Sequence, residues 1–186
     1  MCRFLTGKAR LQQTDKRRIW KLLDNEIYKA NDGKIYIVPR NMQTDSYTIP
    51  CWIAWLAGSP VDHDTRASHL HDELCYGHEA IVVNLTEKEL RDKGYLRFLE
   101  KHNMWICEDI PAEYLSKEKV SKVKTDNLLY ECMKAAYVPR INRIIIRGGV
   151  FFNIGWLIDF WTGKVFEFEL EKIYEEEYWD KHVRAK

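Results

Sequence analysis

An α+β fold is predicted, with an N-terminal β-hairpin and loop packed on a small antiparallel helical core and an α/β segment inserted into that core. Three observations carry it. Two short runs flank Asn31-Asp32-Gly33, and the second, Ile35-Tyr36-Ile37-Val38, is β-branched and aromatic. Two later stretches, 65–76 and 125–137, repeat apolar residues at helical spacing. Between them, 78–119 has a different, mixed texture. The 186 residues, 46% apolar and 13% aromatic, suit one domain with a sizeable core.

The hairpin comes first, because Asp-Gly between strand-like runs tolerates the positive φ of a tight turn. Pro39 closes the second strand. Residues 41–50 read as a long loop, polar apart from Met42 and Ile49, and 51–56, with Trp52 and Trp55, begin an apolar helical packing segment. Asp64 can cap the next helix and Gly77 suits its left-handed end. Within it Ala67, Leu70, His71, Leu74 and Cys75 fall at i, i+3, i+4, i+7 and i+8, the spacing of one buried stripe. That stripe turns His71 inward, sets Asp72 at its edge and leaves His69 on a different face.

The segment Ala80–Leu85 is strand-like, and Thr86-Glu87-Lys88-Glu89 has the form of a capping box before a helix that runs to about Lys101. Met104–Cys107 reads as another short strand, and Pro111 begins a polar connector through Lys124. Residues 78–119 are therefore read as an insertion in a core formed by 20–77 and 120–157. Thr125 or Asp126 opens a helix to about Tyr137, striped by Leu129, Cys132, Met133 and Ala136, with Asp126 on the same inward face. Pro139 begins a further helix through Ile141, Ile144 and Ile145, where Gly148, Gly149 and Gly155 permit close contact. The extension 158–186 alternates Phe166, Phe168 and Leu170 with glutamates, giving a half-buried strand and a short terminal helix, or a single helix from Val165.

Charge bounds the function. With 29 Lys plus Arg against 28 Asp plus Glu, the net charge of +1 argues against a general nucleic-acid or membrane-surface binder. The balance averages an acidic end, Glu167 to Asp180, and a basic start, Lys8 to Lys21, a segment that can bind nucleic acid or an acidic partner but is read first as solvated surface. Five cysteines, odd in number and without a C-x-x-C pair, fit neither a disulfide framework nor a structural zinc site. The first residues lack the apolar core of a signal peptide, and no stretch approaches the ~20 apolar residues of a membrane span. A soluble protein made in a reducing cytoplasm is the expectation.

One constellation can carry chemistry. An inward His71 beside Asp72, and an inward Asp126 at the start of another helix, would each be costly to bury unpaired. If the two helices pack antiparallel, Asp126 can fix the His71 tautomer and leave the other nitrogen to take a proton from water. Asp72 can then hold a divalent cation, which completes the parts of a metal-assisted hydrolase. The alternative is a structural pair that ties two helices together. His63, His78, His102 and His182 read as surface or loop residues.

Four segments in order, Val38-Pro39, Thr44-Asp45-x-x-Thr48-Ile49-Pro50, Ala67 through His71-Asp72-x-Leu74, and Asp126 through Met133, resemble a family of small phage and prophage proteins, the domain of unknown function family 1353. The resemblance runs from about Trp20 to Trp156. The family's glycine and phenylalanine are Asn41 and Met42 here, its serine is Thr48, the tyrosine after its His-Asp motif is Cys75, and its later phenylalanine is Leu129. The resemblance implies phage origin, a place in the host cytoplasm or the virion, and the addition of Asp45 to Asp72 as a candidate metal ligand; it supplies no reaction. His71-Asp72 with Cys75-Tyr76 and a distal Asp126 is also similar to phospholipase A2, without that family's calcium loop or disulfides. The competing class is a virion component or host-interaction protein, since seven Trp and ten Tyr suit interfaces with phage structural proteins or a host protein as well as cores.

Overall fold

The computed structural model describes residues 2–14, 20–44, 65–75 and 79–151, the last three as backbone only. Its centre is an antiparallel five-stranded sheet in the order β1-β4-β5-β7-β10, made by Arg3–Phe4, Glu26–Lys29, Ile35–Val38, Glu79–Val83 and Leu115–Lys119. The hairpin expected around Asn31-Asp32-Gly33 is its core, with Glu26 opposite Val38 and Lys29 opposite Ile35. Gly33 sits at φ 88°, the Gly33 N–H donates to the Ala30 carbonyl at 3.1 Å, and Lys34 N–H donates to the Asp32 carboxylate at 3.0 Å. Only a residue free of Cβ strain adopts that φ cheaply.

Alternation along these strands feeds two cores, one on each face. Tyr28, Tyr36, Val38, Ala80 and Val82 face one way, while Ile27, Ile35, Ile37, Ile81 and Val83 face the other. The first face is covered by α1 (Arg66–Cys75) and α3 (Lys122–Ala135), which pack on each other. Leu70, Leu74, Leu128, Leu129, Cys132 and Met133 fill that layer. Helix α4 (Arg140–Phe151) leans on α3. The other face is covered by α2 (Glu87–Asp92), the β8–β9 hairpin (Leu96–Leu99 and Met104–Cys107) and Ile110. A small third sheet pairs β2 (Leu11–Gln13), β3 (Trp20–Leu22) and β6 (Gln43–Thr44).

The α+β class holds, with three adjustments. The segment expected to be an insertion, 78–119, contributes β7 and β10 to the central sheet, so it is woven into the fold through β7's pairing with β5. The helix expected to run from Thr86 to about Lys101 ends at Asp92, because Lys93 caps it and Gly94 at φ 78° turns the chain out into β8. The polar connector from Pro111 contains β10, in which Leu115 is buried, Glu118 half-buried and Ser116, Lys117 and Lys119 exposed.

Other expectations are met closely. The capping box is formed: the Glu89 N–H donates to Thr86 Oγ1 at 3.3 Å and the Thr86 N–H to the Glu89 carboxylate at 2.7 Å. Helix α3 begins one turn earlier than expected, capped by Ser121, whose hydroxyl accepts from the Lys124 N–H. It ends on Tyr137 at φ 58° with Val138 N–H bonded to the Met133 carbonyl, a left-handed cap made without glycine. The Asp64 cap, Gly77, Asp45 and most of the 41–50 loop, the 51–56 packing segment, Gly155 and the 158–186 extension lie outside the described residues.

Candidate functional site

Helix α1 is buried over a wider arc than a single stripe, because it faces both the sheet, through β5 and β7, and helix α3. Ala67, Ser68, His69, Leu70 and Leu74 are buried on it. The expected inward face is therefore turned by part of a helical step. His69, expected on another face, is fully enclosed, His71 is largely covered with 16% of its side chain exposed, and Cys75 is exposed instead of inward.

His69 has a partner across the sheet. Its Nδ1 lies 3.0 and 3.1 Å from the two carboxylate oxygens of Glu26 on β4, and Glu26 is itself buried. This is a second His–carboxylate pair that the sequence reading missed; a glutamate directly before the apolar Ile27-Tyr28, ahead of the Asn31-Asp32-Gly33 turn, was the available signal. With the histidine fully enclosed and the glutamate nearly so, the pair fastens α1 to the sheet.

The expected cluster is at the α1–α3 contact. His71 Nε2 lies 3.7 Å from Asp126 Oδ1, and His71 Nδ1 lies 3.8 Å from Asp72 Oδ1. These are ion-pair distances, longer than hydrogen bonds. Cys75, one turn on, places its sulfur 3.5 Å from Nε2 and 3.9 Å from Nδ1. Each carboxylate is fixed by its second oxygen: Thr44 Oγ1 on β6 donates to Asp72 Oδ2 at 2.7 Å, and Lys122 Nζ donates to Asp126 Oδ2 at 2.7 Å. Asp126 is 5% exposed, and its Oδ1 has no hydrogen-bond partner among the described residues. The structure thus brings together His71, Asp72 and Asp126, whereas Asp45, next to Thr44 in sequence, lies outside the described residues.

Burial would by itself lower the His71 pKa, but the Asp72 carboxylate and the Cys75 sulfur overcome it and push the imidazole up to about 10. The ring is thereby a stronger base than a free imidazole, and holds firmly a proton it has taken. Among the described residues no group of three or more His, Cys, Asp or Glu side chains is gathered so as to hold a metal ion. Among the same residues no helix is long and apolar enough to cross a membrane.

Elsewhere, a groove of about 390 Å³ opens at the end of the central sheet, lined by Lys29, Lys34, Asn84, Glu87 and Glu118 among others. Its charges are satisfied internally. Glu87 pairs with Arg3 and Lys29, and Glu118 with Lys34 and Lys124.

Comparison with known proteins gives a family and no activity. Neither the curated proteins nor the solved structures contain a match to this chain. One family model, described as a protein of unknown function (DUF1353), matches residues 20–150, the stretch that holds the central hairpin, α1 with His71 and Asp72, and α3 with Asp126. The chain belongs to the DUF1353 family.

Proposed function

We propose that this protein is a hydrolase whose proton-transfer residue is His71, with Asp126 and Asp72 orienting the ring. One observation carries the reading: a buried carboxylate oxygen, Asp126 Oδ1, has no hydrogen bond among the described residues and points at His71 Nε2 from 3.7 Å. That oxygen keeps a free lone pair beside a ring able to exchange its proton, and favours the ring's charged form. His71 gives a proton to the leaving group and takes one from the attacking water. Asp126 stabilises the charged ring. Asp72, pinned by Thr44, sets the ring's other nitrogen as donor.

The test is hydrolysis of chromogenic carboxylic, phosphoric and amide substrates by wild type, His71→Asn and Asp126→Asn, with circular dichroism checking the fold. A turnover that falls about 100-fold or more in His71→Asn supports the reading, since proton transfer contributes roughly 10²–10⁴-fold. Turnover unaffected by either substitution refutes it.

A second reading has its own observation. Lys122, Asp126, His71, Asp72 and Thr44 form a continuous polar chain that ties α3 to α1 and α1 to β6. In a non-enzymatic virion component or host-interaction protein this chain would simply lock those elements. That reading requires the protein at stoichiometric copy number in purified phage particles, and Asp126→Asn then to weaken the fold without abolishing any turnover.

A further inference from the structure

Cys75 is exposed at the C-terminal turn of α1, and its sulfur is within hydrogen-bond range of the His71 ring. The other described cysteines are different. Cys2, Cys107 and Cys132 are buried, and burial pushes the Cys107 and Cys132 thiols up, so they stay protonated and inert. Cys75 Sγ lies alongside the ring, 3.5 Å from Nε2 and 3.9 Å from Nδ1, and Nδ1 lies 3.8 Å from Asp72 Oδ1. A nucleophile, a proton carrier and an orienting acid are thus brought together.

We propose that Cys75 is the nucleophile of this site, attacking the acyl carbon of an ester or thioester while His71 carries the proton and Asp72 positions the ring. The inference deepens the hydrolase reading and rests on it for the second half of the cycle. In the first half the thiol proton passes to Nε2, the S–C bond forms, and the carbonyl π pair moves to oxygen. As that pair returns, the bond to the leaving alcohol or thiol breaks, and the leaving group takes the proton from His71. In the second half a water gives its proton to His71 and its oxygen to the acyl carbon. The S–C bond breaks, the carboxylic acid leaves, and the proton returns to sulfur.

An acyl substrate is favoured over a disulfide by the second acceptor facing the same nitrogen. Asp126 Oδ1, buried and without a hydrogen bond among the described residues, is 3.7 Å from Nε2, where it stabilises the ring each time the ring takes up a proton. Thiol–disulfide exchange involves no water and so asks for no second uptake of a proton by the ring.

The experiment uses the full chain with p-nitrophenyl acetate, following nitrophenolate release and mapping the acetyl group by peptide mass spectrometry in wild type, Cys75→Ser, His71→Asn and His71→Gln. Acetyl on Cys75, formed at least about tenfold faster in wild type than in whichever His71 variant keeps the wild-type circular dichroism, supports the proposal. Acetylation of Cys75 without turnover also supports the nucleophile while counting against the hydrolase reading. The proposal is overturned if Cys75 stays unlabelled or is labelled equally fast without His71. It is overturned too if Cys75→Ser hydrolyses the ester at the wild-type rate, which leaves the hydrolase reading standing.

Discussion

Glu26→Ala is the sharpest test of how the sheet is fastened to α1. The substitution removes the carboxylate that meets His69 Nδ1 through both oxygens, at 3.0 and 3.1 Å, where the histidine is 0% exposed and the glutamate 4%. Stripping one partner from a pair this deep costs about 3–5 kcal/mol, because the other polar group is left without its compensation. In a chain of this size each kcal/mol moves the melting midpoint by about 2–4 °C, so the midpoint should fall by about 6–20 °C. Urea unfolding followed by tryptophan fluorescence measures the same loss at constant temperature. The companion variants are His69→Leu and the double Glu26→Leu/His69→Leu. The double should recover at least ~1.5 kcal/mol relative to the sum of its singles, since an apolar pair leaves no buried polar group orphaned. Single costs below about 1 kcal/mol, the scale of a surface pair, or strict additivity in the double would refute a buried, coupled pair.

Other consequences follow from the geometry. Because the folded His71 pKa is raised from the ordinary 6.5 to about 10, its contribution to stability is complete below pH 6.5 and is lost as pH rises through 10. Thermal melts should show that alkaline loss in wild type and not in His71→Asn; parallel curves would contradict it. Tyr137, 93% exposed at φ 58°, carries Cβ strain with little burial in return, so Tyr137→Gly should stabilise by about 1 kcal/mol in chemical denaturation. A destabilised variant would contradict that. A Cβ at Gly7 would lie 2.6 Å from Met104 Cβ while Gly7 N–H is bonded to the Trp105 carbonyl, so Gly7→Ala should cost about 1–3 kcal/mol. An unchanged melting midpoint would show that the β9 strand can move aside.

What was legible from sequence was local. Asn31-Asp32-Gly33 carries its turn chemistry in its own residues, and Thr86 and Glu89 cap each other without help from the rest of the fold. The strands of two or three residues, β1, β2, β3 and β6, have no periodicity to read, and exist because partners distant in sequence supply their hydrogen bonds. β10, Leu-Ser-Lys-Glu-Lys, is too polar to resemble a strand, and is one because β7 offers it a ladder from Val83 to Glu79. Spacing placed His71, Asp72 and Asp126 within reach of one another, since it only required two helices to meet. It misjudged His69 and Cys75 because a helix packed against two neighbours buries an arc whose centre depends on both.

The two rims of the central sheet differ from its interior. β1 is two residues long, and β10 presents Ser116, Lys117 and Lys119 along its length while Glu118 is engaged by Lys34 and Lys124. A free strand edge is a template on which another chain can add itself, and short length and alternating charge are the two commonest ways to make it a poor one. The polarity that hid β10 from a sequence reading is thus itself protective: it lets Ile35, Ile37, Ile81 and Val83 be as adhesive as the core requires without the sheet growing from molecule to molecule.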